Sequence, residues 1–74
     1  MKLQKINEGV YALYDPSGSH VGNFKWINTL WKFKAIGHDP HGQVIPGGGP
    51  LTDRHNITMA ELDERLIRAQ FFQE

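Results

Sequence analysis

The 74-residue sequence predicts a small α+β domain: an antiparallel β-meander of three to four strands, built from two hairpins, with one C-terminal α-helix packed on one face. Three observations predict it. A D-P-x-G turn occurs twice, as Asp15-Pro16-Ser17-Gly18 and Asp39-Pro40-His41-Gly42. Strand-like residues flank both copies, and the last quarter of the chain carries a helical stripe. Residues 1–74 are read as a single domain with an N-terminal segment over 1–8 and two hairpins over 9–46. A Gly/Pro-rich loop over 46–57 and a helix over 58–72 complete it.

Each residue type in the repeated turn has a mechanical reason to be there. Aspartate bonds its side chain back to the backbone, proline pre-sets φ near −65°, and glycine takes the left-handed conformation that closes a short hairpin loop. The flanking strands are expected over 10–14 and 20–27 for the first turn, and over 31–38 and 43–45 for the second. Between them, Asn28-Thr29 reads as a tight connection. Phe24, Ile27 and Trp31 would also share a face of a helical turn, but the aromatic and β-branched content of residues 23–31 favours strand.

Ordinary bulged turns would set Tyr14 opposite His20, Ala12 opposite Gly22 and Val10 opposite Phe24, with Phe24 opposite Phe33 and Trp26 opposite Trp31. Val10, Ala12, Phe24, Trp26, Trp31, Phe33, Ala35 and Ile45 would then seat the helix. The other face would hold Tyr11, Leu13, Val21, Ile27, Leu30, Ile36 and Val44 among Lys25, Lys32 and Lys34. Such a face is too apolar for plain solvent exposure, and it sets Lys25 against Lys32. It is expected to bind something, unless the register slips or residues 1–8 fold across it.

The helix is expected to begin at Thr58-Met59-Ala60-Glu61, a capping box in which the hydroxyl and the carboxylate each satisfy a free amide. Ile57 and Leu62 sit where a hydrophobic staple needs them. Met59, Leu62, Leu66 and Ala69 line one stripe, widened by Ile67 and Phe71, with Glu61/Arg65 and Glu64/Arg68 as i,i+4 pairs.

Composition narrows the function classes. Absence of cysteine removes disulfides and thiolate metal ligation. A chain this short buries only about 60% of its unfolded surface, so self-association is an expected aid to stability. No apolar run approaches the roughly 20 residues that span a bilayer, and no basic start leads into a long apolar run. The expectation is a cytoplasmic protein with no membrane association. Net charge is zero, yet residues 1–38 carry +3 and residues 39–74 carry −3. The halves should attract each other within one fold.

No nucleophile turn, phosphate loop or zinc pattern is present, so neither catalysis nor a cofactor is expected. Gly47-Gly48-Gly49 reads as a crossing from sheet to helix. The candidate binding residues are Lys25, Lys32 and Lys34 on the free face and Asp53, Arg54 and His55 on the loop. The expected function is a non-catalytic binding or interaction module acting through the exposed sheet face, on an unknown protein partner or on a second copy. One alternative is a nucleic-acid-binding domain using Lys25, Lys32 and Lys34, whose interleaving with aromatics resembles a base-stacking platform. The other is a small metal- or anion-binding protein using His38, His41, Asp53, Arg54 and His55.

Overall fold

In both D-P-x-G segments the aspartate side chain folds back onto the turn it opens. Asp15 Oδ1 accepts from the N–H groups of Ser17 and Ser19, and Asp39 Oδ1 from those of His41 and Gln43, all at 2.8–2.9 Å. Gly18 and Gly42 close the turns at φ of 91° and 82°. The repeated motif therefore builds the same loop twice. The connection between the hairpins is tighter. Asn28 and Thr29 both have positive φ, 51° and 63°, as a two-residue type I′ turn requires. Residues 23–31 are thus strand, turn and strand.

The computed structural model describes residues 1–73. It contains β1 (Lys2–Asn7), β2 (Val10–Tyr14), β3 (His20–Ile27), β4 (Leu30–His38), β5 (Val44–Pro46), β6 (Thr58–Met59) and α1 (Glu64–Phe72), with a 3₁₀ turn at Thr52–Arg54. The sheet is antiparallel in the order β1-β2-β3-β4-β5, and β6 also pairs with β4. This is the expected α+β meander with one C-terminal helix, enlarged to six strands. Residues 1–8, expected as a separate segment, supply β1, which sets Leu3 opposite Leu13 and packs it on the core.

The register departs from expectation at one residue. Tyr14 does oppose His20, and Phe24/Phe33 and Trp26/Trp31 are paired as predicted. Leu13, however, opposes Gly22, and Val10 opposes Lys25, because Val21 is the extra residue of a β-bulge. A one-residue slip turns a strand over. Tyr11 and Leu13 join the aromatic face, and Val10 and Ala12 leave it. The exchange buries the larger side chains, at about 25 cal/mol per Å² of apolar surface, and the bulge keeps Val21 in the core as well. Ile45, expected beneath the helix, is half exposed on β5.

The helix also begins later than its sequence signals. Thr58 does not cap it. Instead Thr58 and Met59 pair with Lys32 and Trp31 on β4. The Phe33 N–H donates to the Ile57 carbonyl at 2.8 Å, and the Asn56 N–H donates to the Phe33 carbonyl at 2.7 Å. Short β5 covers only Ile36 to His38, so the rest of this edge takes backbone partners from residues 56–59. The cap is Asp63, whose carboxylate accepts from the Arg65 N–H at 2.9 Å. Glu61 therefore stands outside the helix. The buried helix positions are Ile67 and Phe71, while Leu66 and Ala69 of the expected stripe face solvent.

Phe24, Phe33, Leu13 and Ile67 form the fully buried centre of the core. The Phe71 ring meets Phe33 edge-on at 4.7 Å and lies 5.7 Å from Phe24. The helix thus sits on the Phe24/Phe33 part of the predicted face, and the Trp26/Trp31 part lies beyond it.

Two outcomes check this architecture. Asp63→Ala should cost about 1 kcal/mol in chemical denaturation, while Thr58→Ala should cost only about 0.3 kcal/mol; the reverse order would restore the capping box. Thr29→Gly should stabilise the domain by about 0.5–1 kcal/mol, a rise of a few degrees in Tm, by relieving a β-branched residue held at positive φ.

Candidate functional site

The two predicted groups of binding residues have different fates, and the loop group disperses. The His55 Nδ1 accepts from the Ala35 N–H at 3.0 Å, which places the proton of a neutral ring on Nε2. The Ala35 carbonyl accepts from the Gly47 N–H at 2.7 Å. His55 and Gly47 thereby bridge the gap in β4 pairing between β5 and Asn56. The Arg54 Nε donates to the Gln70 carbonyl at 2.9 Å and ties the 3₁₀ turn to the last turn of α1. Asp53 stays exposed.

The glycine run allows this return. At Gly49 (φ 85°) a Cβ would lie 2.2 Å from the Ile36 carbonyl oxygen, so backbone packs on backbone there. His38 and His41 are exposed at the second hairpin. Among the described residues, no three His, Asp or Glu side chains converge in a way that would hold a metal ion.

The lysines do converge. Lys25 lies directly opposite Lys32, and Lys34 opposite Asn23, on the face turned away from α1. Pairing of β1 with β2 brings Lys2 and Gln4 to the same face, through Tyr14 and Ala12. Thr58 extends the Lys25/Lys32 row onto β6. No carboxylate falls at these register positions among the described strands. Lys34 Nζ reaches Asn56 Oδ1 at 2.5 Å. The expected apolar character of this face is reduced by the β2 slip, which takes Tyr11, Leu13 and Val21 to the other side and leaves Ile27, Leu30, Ile36 and Val44 in place. Ile27 and Leu30 at the hairpin tip, and Val44 opposite His38, are its exposed large apolar residues.

Sequence reasoning missed part of this surface. Tyr14 and His20 stack at 5.1 Å with an interplanar angle of 26°. His20 Nε2 is 2.9 Å from Asn23 Oδ1, and Lys2 Nζ lies 6.0 Å from the Tyr14 ring centre. The available signal was the first D-P-x-G turn, which fixes the Tyr14/His20 pair. Phe24 and Phe33, by contrast, are buried and offer no stacking surface.

The ion pairs seen are local, each within one half of the chain, and neither joins the basic half to the acidic half as expected. Lys5 Nζ is 2.8 Å from Glu8 Oε1, a contact that holds the Glu8 carboxyl below its ordinary pKa and the Lys5 amine above its own, chiefly through the hydrogen bond. Arg65 Nε is 3.8 Å from Asp63 Oδ1. Neither pair reaches the lysine face. Among the described residues, no helix is long and apolar enough to cross a membrane. No family model, curated protein or solved structure matches the chain.

The structural role of His55 has a direct check. His55→Ala leaves the Ala35 amide without its acceptor and should cost about 1–3 kcal/mol, with faster hydrogen exchange at Ala35. An unchanged Ala35 exchange rate would remove that role.

Proposed function

We propose that this chain is a small non-catalytic binding module whose lysine-bearing sheet face takes an anionic partner, with single-stranded nucleic acid as the favoured class. The observation that carries the reading is the direct opposition of Lys25 and Lys32, with Lys34 beside them and no carboxylate in the rows. Like charges in directly opposed positions destabilise a sheet. A partner's negative charge offsets that cost on binding, so the arrangement has a use only when something anionic lies across it.

A sheet face lined by lysines, with Asn23, Gln4 and Thr58 among them, suits a phosphate backbone. The Tyr14/His20 stack at one end of the lysine rows adds the ring surface on which a base can stack. This stack favours a single strand over an acidic protein.

Fluorescence anisotropy with a labelled single-stranded RNA, a single-stranded DNA and an acidic peptide, between about 50 and 200 mM salt, tests the reading. Four lysine–phosphate contacts should give a log–log salt slope of about −3. Lys25→Glu should lower affinity for the strand by about tenfold, yet leave stability unchanged or raised by up to about 0.5 kcal/mol, since it turns a like-charge pair into an opposite-charge one. Salt-independent binding, or no loss with Lys25→Glu, would reject the proposal. Binding of the acidic peptide alone would assign the face to a protein partner.

A further inference from the structure

The opposite face of the sheet carries a second surface that the lysine reading does not use. Beyond the reach of α1, Trp26 and Trp31 meet at 5.2 Å with their rings tilted by 59°, and Tyr11 braces Trp31 edge-on at 5.4 Å. Trp26 is 47% exposed, an unusual state for a tryptophan in a domain so short of core. The pair lines an open groove of about 350 Å³ with Glu8, Ala60, Glu61 and Leu62. Glu8 is engaged by Lys5, but the Glu61 carboxylate has no ion-pair or side-chain hydrogen-bond partner among the described residues.

Indole surface beside an unpaired carboxylate is the chemistry that recognises an organic cation. The geometry narrows which cation. The two rings touch each other rather than standing apart, so they form no enclosure for a spherical ammonium group. A planar guanidinium can lie along an open indole surface and donate a pair of N–H groups to a carboxylate at its edge.

We propose that this groove is a docking site for an arginine side chain of a partner polypeptide, with Trp26 as the stacking surface and Glu61 as the acceptor. It lies across the sheet from Lys25 and Lys32, so occupancy of one surface leaves the other open. Residues 60–63 bend past the tryptophans before the helix starts at Glu64. That bend brings Glu61 to the rings.

Trp26 and Trp31 are the only tryptophans in the chain, so intrinsic fluorescence reads the groove directly. The full chain is titrated with blocked Gly-Arg-Gly peptide and with its citrulline, lysine and trimethyl-lysine counterparts. The arginine peptide should give a saturable change, the lysine and trimethyl-lysine peptides a several-fold weaker one, and the neutral citrulline peptide none. Glu61→Gln should weaken the arginine response roughly five- to tenfold and Trp26→Phe roughly two- to fivefold, both with unaltered melting. Lys25→Glu should leave the response as in the parent chain, which separates this outcome from failure of the nucleic-acid reading. Equal responses to arginine and citrulline, or to arginine and trimethyl-lysine, would overturn the proposal, as would an unchanged Glu61→Gln variant. Sedimentation showing a dimer that Trp26→Phe dissolves would overturn it too, by making a second copy the occupant.

Discussion

The outer edge of β4 is the constraint on which the rest of the chain depends. At nine residues β4 is the longest strand, and its Phe33 and Ala35 are buried in the core. A buried N–H or carbonyl without a partner costs about 1–3 kcal/mol, a large share of the stability available to a domain this small. β3 satisfies one edge. The other is served in relay by β5, by Gly47 and His55 at Ala35, by Asn56 and Ile57 at Phe33, and by β6. No single segment runs the length of the edge, so the chain must turn back after β5 and approach β4 a second time. The glycine run, the 3₁₀ turn and the late helix start all follow from that return. So does the placement of Ile67 and Phe71, which reach Phe24 and Phe33 only because α1 begins where the return ends.

Features set by local chemistry were legible in the sequence, and features set by this relay were not. Both D-P-x-G turns could be read because aspartate, proline and glycine act on their own backbone. The β3/β4 register could be read because a two-residue turn leaves no slack, and with it the outward orientation of Lys25 and Lys32. The helix was legible as an element, but Thr58 carries a valid capping signal that loses to β4, a partner 26 residues away. Nothing local announces that competition. The bulge at Val21 was equally hidden, because the turn chemistry is the same with or without it. Only the gain from packing Leu13 rather than Ala12 against the aromatic core decides, and that is a property of the assembled core. β1 escaped notice because Lys2, Gln4 and Lys5 make it look like a polar leader, while Leu3 alone reports the pairing.

The candidate sites divide along the same line. His55 and Arg54 looked like ligand-binding groups because polar residues on a glycine-rich loop often are. Here each is consumed by a backbone group that tertiary structure leaves open: the Ala35 amide and the Gln70 carbonyl. The lysines had no such call on them. They project from a strand pair whose backbone needs are already met, and apart from the Lys34 bond to the Asn56 side chain they remain available. Trp26 follows the same logic from the other face: the helix that would have covered it begins too late.

Zero net charge weighs less against a polyanion partner than it first does, because the strand rows that carry Lys25, Lys32 and Lys34 hold no carboxylate. Lys2, Lys25, Lys32 and Lys34 lie on one face of the sheet, while Glu61, Asp63 and Glu64 belong, with Arg65 and Arg68, to the bend and helix packed on the other. Packed layers lie about 10 Å apart. A strand lying on the lysine face would therefore sit closer to the lysines than to those acids and respond mainly to the nearer charge. The same separation leaves Glu61 free to act locally at the tryptophans. A chain that is neutral as a whole thus offers a cationic face and an anionic groove, and each is legible only once the sheet divides them.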